Sequence, residues 1–566
     1  MVKFSFNKRI VEGVVLLLFF GTLLYLGAAP LLQQRIVHEF PHGYYASDAF
    51  WQIVYTTQVY DTGNDALRPF YDSLGYQDVL GVLPPATYEL GAGFAHLVGI
   101  APYDALILLI TLLFSFSALI MFLIIRRFNR NVALLSLPFM TMLFAAPNYT
   151  AITWGKHLVI TGGFFLLTFF WSLLAMDMQP KKQGWTIIGI FLAAILMSHP
   201  PEFIFAVSFL IGMSVLYFLN GSFDRNQTKE WAYGLLLGFV LALPYAVIFY
   251  NTLWKGASTT IRWFKIIPDI GYPVLHLTDF SGWIGIVLAV GFGIAILQSI
   301  QHRKRKVYLL IIGISLFMLA LGLSNYIGMQ ERSFQQRYFW PLYLAFFFGL
   351  GVWFAIKLFG KIVPLKKIRY PLIIILIIIL TPIIIEKTHH SSTSPGLMDP
   401  YHWESFQFIK EKTAKDARIL YVYGDVYNQK PILLAGQRRS YWIELRPLME
   451  DIKNRIIPST FETTEINNGD GQLAYRTGLF SFGYHLIEDN PKITANRSIC
   501  TFDYVVFDKV SSNRGIIQYT ELIRKAYTSY LQQKGKGQLK EVFQNAATII
   551  YHNKHPTEGC FDDQKF

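Results

Sequence analysis

Long apolar runs recur along the first two thirds of the chain, and they constrain its fold more than any other feature. A helix needs about 20 apolar residues to cross the roughly 30 Å hydrocarbon core of a bilayer. Runs of this kind appear repeatedly from Val11 to Ile385. The spans they predict lie near residues 10–32, 104–125, 132–147, 156–176, 184–199, 202–219, 231–250, 281–300, 307–324, 339–358 and 370–386. The sequence therefore predicts a polytopic α-helical membrane protein with about eleven transmembrane helices.

The composition agrees with this interpretation. Of 566 residues, 53% are hydrophobic and only 15% are charged, whereas soluble domains are about 25% charged. The formal charge of +13 is typical of a membrane protein that keeps Lys and Arg in its cytoplasmic loops. Nucleic-acid binders instead carry a soluble basic face, so we expect membrane lipids and no nucleic acid among the partners.

The distribution of basic residues predicts the orientation. If the N-terminus, with Lys3, Lys8 and Arg9, is cytoplasmic, alternate loops should also be basic. Those loops contain Arg126, Arg127 and Arg130; Lys181 and Lys182; Arg225 and Lys229; residues 302–306; and Lys361, Lys366, Lys367 and Arg369. The other loops and the C-terminal segment would then face outward from the cell membrane. A re-entrant hairpin near Pro147 or His199 would change the span count by two without moving either terminus.

The chain divides into two predicted domains. Residues 1–387 form the transmembrane domain, with a large outer loop over 33–103 that contains an interfacial or re-entrant helix at Pro85–Ile100. From residue 388 to 566 the long apolar runs give way to short segments typical of buried strands, 417–423 and 504–508, and of helices, 403–413 and 519–533. Such alternation predicts an extracytoplasmic α/β domain.

Both cysteines of the chain, Cys500 and Cys560, lie in the predicted outer domain. Outside the cytoplasm disulfides form and persist. A disulfide between the two is one interpretation, and two unpaired thiols are the other.

The first outer loop carries the most informative candidate for chemistry, Asp48. It follows Tyr44 and Tyr45 and precedes Trp51, so one carboxylate lies among aromatic side chains near the membrane surface. A partly desolvated carboxylate can act as a general base, and aromatic side chains can hold a sugar ring. The alternative is a helix N-cap, because Ser47 and Asp48 precede the start of a helix-like run.

Cations at the outer ends of other spans are the second candidate group. Arg332 and Arg337 in the predicted outer loop run against the positive-inside bias, and the planar fork of an arginine suits phosphate. Lys156 and Arg262 occupy similar positions. The alternative for Arg337 is interfacial snorkelling beside aromatic residues. Together these cations indicate an outer surface that suits an anionic lipid headgroup.

Weaker signals accompany these. His199, between Ser198 and Pro200, is a candidate proton carrier or ligand, with a hydrogen-bonded histidine at a helix end as the alternative. The adjacent pair His389-His390 lacks the spacing of a metal site on a helix. No Walker-type glycine loop is present, which disfavours ATP-driven transport.

In these pieces the chain resembles the GT-C class of membrane glycosyltransferases that use polyprenyl-phosphate sugars, a class related to oligosaccharyltransferases, protein mannosyltransferases and lipid aminoarabinose transferases. The segments that carry the resemblance are Ser47-Asp48-Ala49-Phe50-Trp51, Leu83-Pro84-Pro85-Ala86-Thr87-Tyr88, Ser198-His199-Pro200, Arg337-Tyr338 with Pro341, 403–413 with 416–419, and 502–508. The resemblance implies a donor with a polyprenyl-phosphate-linked sugar and a glycan, lipid or protein acceptor.

The resemblance also implies residue roles. In that class an acidic residue of the first outer loop activates the acceptor or helps to bind a metal, and an arginine near a late helix contacts the donor phosphate. Asp48 is then the expected base and Arg337 a phosphate ligand, joined by Arg332, Lys156 and Arg262. Tyr44, Tyr45, Trp51 and His199 are the expected acceptor or sugar contacts.

Two departures from the class pattern limit these expectations. The Trp-Trp-Asp-Tyr-Gly motif of oligosaccharyltransferases is absent, although Tyr423-Gly424-Asp425 stands at a comparable place. Residues 147–155 contain no carboxylate, so no metal and no other cofactor is assigned, although the class admits a divalent metal.

An inverting glycosyltransferase is the function that these features favour, and three alternatives stay open at this point. A transporter or lipid flippase would place ionisable residues within its central spans, and few are present. A non-catalytic protein of cell-envelope assembly would use the outer domain to recruit a partner. A polymerase or ligase would share the chemistry but take diphosphate-linked donors.

Overall fold

A computed structural model describes most of the chain. The described residues are 8–32, 35–65, 67–75, 79, 84–178, 184–249, 282–301, 306–322, 338–362, 369–388, 396–425, 431–466, 474–476, 484–486, 494–534 and 538–566.

Helices dominate the first 388 residues. The α-helices of the described residues are α1 Lys8–Leu32, α2 Ser47–Thr62, α3 Ala86–Val98, α4 Pro102–Phe128, α5 Arg130–Met140, α6 Ala146–Thr153, α7 His157–Met178, α8 Gly184–Ser198, α9 Pro200–Leu219, α10 Arg225–Leu241, α11 Leu243–Phe249, α12 Trp283–Gln301, α13 Lys306–Gly322, α14 Trp340–Ile362, α15 Arg369–Thr388, α16 Pro400–Lys412, α17 Pro431–Gly436, α18 Leu445–Asn454 and α19 Arg514–Lys534. Each predicted span overlaps a helix among the described residues, although the span expected at 132–147 is divided between α5, a 3-10 helix at Thr141–Phe144 and the start of α6. The span expected at 231–250 begins earlier, at Arg225, and is divided between α10 and α11.

Six helices in the described part of the chain are long and apolar enough to cross a membrane. Their candidate spans are Arg9–Ala29, Pro102–Phe128, His157–Met176, Pro200–Leu219, Trp283–Gln301 and Trp340–Gly360. Shorter apolar helices occur at Arg130–Phe144, Gly184–Ser198, Lys306–Leu321 and Tyr370–Glu386. The protein is therefore a polytopic helical membrane protein, while the count of eleven crossings stays a prediction.

Buried charges join the helices at the end that the basic loops assign to the cytoplasm. Glu12 of α1 is 5% exposed, and its carboxylate accepts from Arg126 of α4 at 2.5 Å and pairs with Arg130 of α5 at 2.6 Å. A carboxylate is stable in an apolar setting only when it is paired. The pairing therefore fixes the first helix against two others.

The first outer loop is folded into helices that pack on the membrane part. The helix predicted at Pro85–Ile100 is confirmed as α3, which packs against α2 and α4. Its other face exposes Leu90, Leu97 and Val98, an arrangement typical of a helix at a membrane surface. The loop thus contains two helices, α2 and α3, that pack on each other and on α4.

The C-terminal part contains a mixed β-sheet. The strands of the described residues are β1 Arg418–Val422, β2 Arg439–Ile443, β3 Ile456–Ile457, β4 Phe461–Glu465, β5 Ala474–Arg476, β6 Tyr484–Leu486, β7 Thr494–Arg497, β8 Tyr504–Asp508, β9 Leu539–Gln544, β10 Thr548–Asn553 and β11 Gln564–Lys565. The main sheet has the order β7-β4-β2-β1-β8-β10-β9, and β2, β1 and β8 are parallel. The predicted strands at 417–423 and 504–508 are β1 and β8 at the centre of this sheet. A Cys500–Cys560 disulfide closes the chain beside it, which settles the choice between a disulfide and two thiols.

The two parts of the chain meet at α2. The backbone N–H of Leu397 donates to the carbonyl of Tyr44 at 2.8 Å, and Gly396 forms a parallel bridge with Tyr44. The fully buried helix α17 packs against α2, and the ring of Trp403 meets Tyr103 edge-on at 5.8 Å. The sheet and the membrane helices therefore share one interface around α2. The predicted division after residue 387 stays a prediction.

Candidate functional site

Asp48 lies in the first turn of α2, where Ala46 is the N-cap. Its side chain is 62% exposed, and its carboxylate accepts from the ammonium of Lys156 at 3.2 Å. A carboxylate in the first turn also interacts favourably with the helix dipole. The alternative prediction that Asp48 itself caps the helix is therefore wrong. The group is an accessible carboxylate held beside one cation.

The turn between α6 and α7 positions Lys156 against α2. The N–H of Tyr45 donates to the carbonyl of Thr153 at 2.9 Å, and Gly155 adopts a φ of +79°. A Cβ atom on Gly155 would lie 2.5 Å from both Cα and N of Ala49, so the two backbones touch. This contact places Lys156, which follows Gly155, directly beside Asp48, which precedes Ala49.

Tyr44 is buried, although the resemblance implied that it contacts the acceptor or the sugar. Its side chain has no exposed area, and its hydroxyl donates to the carbonyl of Tyr103 at 2.5 Å. Burial and the nearby Asp104 carboxylate hold the pKa of Tyr44 well above its usual range. The sugar-contact prediction for Tyr44 finds no support in this geometry, because the hydroxyl already bonds within the protein.

The other aromatic candidates lie closer to the surface. Tyr45 is partly exposed, while Trp51 is buried with 7% of its area accessible. Both belong to the segment that surrounds Asp48. Their contact with a sugar stays a prediction.

His199 lies between α8 and α9 and is paired with a residue that the sequence analysis missed. Its Nδ1 bonds to the carboxylate of Glu202 in the first turn of α9, and the two residues are 8% and 0% exposed. Glu202 follows two prolines at the start of an apolar run, so its carboxylate resembled an ordinary helix-start residue. An acidic residue inside a predicted span is the signal that marks it.

The three arginine candidates, Arg262, Arg332 and Arg337, lie outside the described residues. The chain resumes at Tyr338, and the ring of Phe339 fits against Gly163 of α7, where a Cβ atom would lie 2.2 Å from it. The residues that directly follow Arg337 therefore pack on the helix that begins next to Lys156. The roles of these arginines stay predictions.

A second ionic cluster lies at the carboxyl ends of β1 and β8. His402 of α16 bonds through Nδ1 to Asp399 and through Nε2 to Asp508, the latter at 3.2 Å. Although burial opposes its protonation, these carboxylates raise the pKa of His402 to about 9. Burial also raises the pKa of the Asp508 carboxyl. Within this cluster the His402 ring joins α16 to the sheet.

Asp425, from the segment Tyr423-Gly424-Asp425, lies in a loop at the same sheet edge. Its carboxylate accepts from the hydroxyl of Ser511 at 2.8 Å and from the N–H of Ser512 at 2.6 Å. These bonds lower the pKa of the Asp425 carboxyl. The segment therefore joins the loops that follow β1 and β8.

The described residues give no support for a divalent metal at Asp48. Mg²⁺ is commonly held by one or two carboxylates together with waters and substrate phosphates, but the Asp48 carboxylate is paired with the Lys156 ammonium. Over the described ranges, no group of three His, Cys, Asp or Glu side chains lies close enough to hold an ion. No step of the chemistry is therefore assigned to a metal.

Comparisons of the amino-acid sequence gave no match to a family model and none to a curated protein. Comparisons of the structure did. The oligosaccharyltransferase AglB of Archaeoglobus fulgidus, in complex with an inhibitory peptide and a dolichol-phosphate, is 9% identical with a TM-score of 0.57, over 97% of this chain and 89% of that one. ArnT from Cupriavidus metallidurans, bound to undecaprenyl phosphate, is 11% identical with a TM-score of 0.52, over 95% and 98%.

A third neighbour, the arabinofuranosyltransferase AftD from Mycobacteria, is 13% identical with a TM-score of 0.50. The match covers 97% of this chain but 40% of AftD. All three neighbours are glycosyltransferases of the GT-C class. The chain therefore has the GT-C fold, and the resemblance seen in the sequence is confirmed at that level.

Proposed function

We propose that this protein is an inverting glycosyltransferase that moves one sugar from a polyprenyl phosphate to an acceptor at the outer face of the membrane. One observation carries the proposal, namely the accessible Asp48 carboxylate held beside the Lys156 ammonium where α2 meets α7. The GT-C fold supports it, because two neighbours are described with a dolichol-phosphate or undecaprenyl phosphate. The fold alone does not determine a reaction, so the site carries the argument.

Asp48 acts as the general base in the proposed reaction. Its carboxylate takes the proton of an acceptor hydroxyl while the hydroxyl oxygen attacks the anomeric carbon of the sugar. The bond from that carbon to the phosphate oxygen breaks, and its electron pair stays on the leaving polyprenyl phosphate. Because one displacement occurs, the configuration at the anomeric carbon inverts. A positioned base of this kind contributes typically about 10²–10⁴-fold to the rate.

Cations stabilise the leaving phosphate in this mechanism. Lys156 is the candidate that the geometry places at the base, and Arg337 precedes a segment packed on the same helix α7. Arg332 and Arg262 complete the proposed set. Fixed positive charge near a developing phosphate dianion lowers the barrier most where water is excluded. Tyr45 and Trp51, which flank Asp48, are the proposed contacts for the acceptor or the sugar.

The orientation follows from the basic loops. We place the N-terminus in the cytoplasm and the C-terminal domain outside, in a multi-pass protein of the cell membrane. Both Asp48 and the sheet then lie on the outer side, where a lipid-linked donor meets a glycan, lipid or protein acceptor. Sugar transfer at this face would serve glycosylation in the cell envelope.

Replacing Asp48 tests the proposal directly. The Asp48→Asn protein should lose transfer by at least about 10²-fold, because the amide cannot accept the proton. Asp61→Asn is the matched control, since Asp61 is exposed at the other end of α2. The assay uses purified protein with a lipid extract of the source cells whose lipid-linked sugars carry a radioactive label, and it counts label moved to the acceptor fraction.

Full transfer by the Asp48→Asn protein would refute the base assignment. If the wild-type protein instead moves labelled lipid across a vesicle bilayer without transferring sugar, the flippase alternative is correct. Absence of both activities in the presence of donor and acceptor extracts would contradict the proposal and favour the assembly protein.

A further inference from the structure

The two faces of the C-terminal sheet have different neighbours. On β8, Val506 belongs to the core that includes the membrane helices, whereas Val505 and Phe507 belong to a second core with Ile523 of α19. Successive residues of a strand point to opposite faces of the sheet. Helix α19 therefore lies on the face turned away from α2 and the Asp48 site.

A cavity of about 310 Å³ opens beside α19 on that face. Its lining comes from β3, from α19 and from the segment around β11. Binding pockets for small molecules enclose about 300–1,000 Å³, so this cavity lies at the lower end of that range. It has room for a small ligand, such as one unit of a longer chain that continues into solvent.

The wall of the cavity opposite α19 is fixed by several contacts. The Cys500–Cys560 disulfide anchors the segment that forms it, and β11 pairs with β3. The backbone N–H of Phe566 donates to the carbonyl of Arg455 at 3.1 Å, and its ring lies 5.6 Å from that of Tyr519. The cavity is therefore formed before any ligand arrives.

The charges of the cavity favour an anion. Lys525 and Lys565 line it, and its described lining contains no carboxylate side chain. The Glu521 carboxylate lies 4.0 Å from the Lys525 ammonium, but it already accepts two bonds from Arg524, at 2.6 and 2.7 Å. Because the Lys525 side chain is also 67% exposed, its ammonium is accessible to a ligand.

The uncharged lining residues indicate that the ligand has more than a charge. Tyr530, Phe561 and Phe566 line the cavity together with Ser529 and Gln564. Aromatic rings offer apolar surface to the face of a sugar ring, and hydroxyl and amide groups bond with sugar hydroxyls. A bare anion would use the ammonium groups alone, whereas a sugar unit with an acidic group would use every part of the lining.

We infer that this cavity is a second binding site, and that its ligand is a sugar unit bearing a carboxylate or a phosphate ester, as in an acidic glycan. In this arrangement Lys525 and Lys565 pair with the acidic group while the aromatic wall packs on the sugar ring. The site is separate from Asp48 and goes beyond the proposed transfer, because it lies on the other face of the sheet and holds no reacting group.

Ligand-observed NMR titrations of the full protein in detergent test the inference without requiring turnover. The probes are methyl glucuronide, a glucose phosphate ester, methyl glucoside and inorganic phosphate. We expect at least one of the two acidic sugars to bind about tenfold more tightly than both methyl glucoside and inorganic phosphate. The two acidic sugars separate a carboxylate ligand from a phosphate ligand.

A double variant tests the two cations of the cavity. Lys525→Gln/Lys565→Gln should weaken binding of the acidic sugar about tenfold, because charge-assisted hydrogen bonds are lost. Lys540→Gln/Lys554→Gln is the matched control, since both lysines are exposed and lie outside the cavity lining. The control should bind as wild-type protein does, and equal affinities of the two double variants would overturn the inference.

Phe566→Ala tests the aromatic wall. It should weaken binding of the acidic sugar and leave the binding of inorganic phosphate unchanged. Inorganic phosphate that binds as tightly as the glucose phosphate ester would show a simple ion site, and methyl glucoside that binds as tightly as the acidic sugars would show that charge is not recognised. Either result would overturn the inference. The Asp48→Asn protein should bind the acidic sugar fully, so a loss of transfer leaves this site unaffected.

Discussion

Gly155 shows how a single residue without a side chain sets the geometry of the candidate site. Its φ of +79° is costly for other residues, and the Ala49 backbone fills the space where a Cβ would lie. Gly155→Ala should therefore push the start of α2 away from Lys156. We expect a loss of transfer activity of about tenfold or more and a destabilisation of roughly 1–3 kcal/mol, measured by initial rates and thermal unfolding in detergent.

Gly221 provides the control for that substitution. Its φ is +64°, in the same region, but nothing lies within 4 Å of its missing Cβ. Gly221→Ala should lose only the stability that the positive φ costs a residue with a side chain, and its transfer rate should be unchanged. Equal rates for both variants would mean that the Gly155 contact does not position the site.

His402 makes the stability of the outer sheet depend on pH. Its folded-state pKa is about 9, above the usual value of about 6.5 in an unfolded chain. The stabilisation is then fully present below about pH 6.5 and is lost as the pH rises through about 9. For this residue alone it amounts to roughly 3 kcal/mol at most, and the raised pKa of the buried Asp508 carboxyl offsets part of it.

Thermal unfolding at pH 7 and pH 10 measures this dependence. The Tm difference between wild-type protein and His402→Gln should be largest at pH 7 and should shrink at pH 10. His552→Gln is the control, because that ring stacks on Tyr504 and makes no comparable ion pair in the described structure. A constant Tm difference across the range would exclude a charged His402.

The residues that the sequence revealed differ in kind from those it concealed. Asp48 stood out in the sequence because it is a lone carboxylate among aromatic residues. Its contact with Lys156, 108 positions away, was not predicted as a pair, since the sequence indicated only an outer surface with several cations. The bond between His402 and Asp508 joins residues 106 positions apart and has no local signature. Glu202 was missed because a carboxylate in the first turn of a helix resembles an ordinary helix-start residue, although its partner His199 is only three positions away.

At the scale of elements, the short stretch before α16 holds α2 in place. Gly396 has a φ of +113°, and a Cβ there would lie 2.5 Å from the carbonyl oxygen of Tyr44. Gly396→Ala should separate this stretch from Tyr44 and loosen α2. We expect a fall in kcat of about tenfold with a smaller change in KM, because the base is displaced while the membrane helices are unchanged.

Limited proteolysis reports on the same contact. The Gly396→Ala protein should be cleaved faster in the first outer loop than wild-type protein. Gly559→Ala is the control, since nothing lies within 4 Å of the Cβ position of Gly559. Unchanged proteolysis and unchanged kcat in Gly396→Ala would mean that the stretch at Gly396 does not position α2.

The elements themselves were largely predictable, because apolar runs of membrane length and alternating strand segments are local signals. The helix at 86–98 and the strands β1 and β8 were expected within a few residues. The short helix α6 was not, because Pro147 and the polar residues after it resemble a loop. The strand order was also beyond prediction, since β1 pairs with β8 across more than eighty intervening residues.

At the scale of the whole molecule, the orientation can be tested with the chain's own cysteines. Cys500 and Cys560 are disulfide-bonded, and the positive-inside pattern predicts that they lie outside the cell. Both thiols are buried, so we expect a membrane-impermeant maleimide to label them in intact cells after reduction in urea, which opens the C-terminal part. Labelling should be absent without the reductant, and a Cys500→Ser/Cys560→Ser protein serves as the blank.

Labelling that appears only after the cells are broken would place the sheet in the cytoplasm. The proposed site would then face the wrong side for a donor presented at the outer leaflet. This experiment therefore tests the predicted orientation and, with it, the proposed function.

The contact between Tyr44 and Leu397 joins residues made at very different times during synthesis. When α2 leaves the ribosome, Leu397 has not yet been synthesised. The start of α2 therefore lacks this backbone contact until the later part of the chain has been synthesised and translocated. A chain that stops near residue 388 would insert its spans yet lack a finished site. We therefore expect the proposed transfer activity to begin only after the C-terminal part has been synthesised.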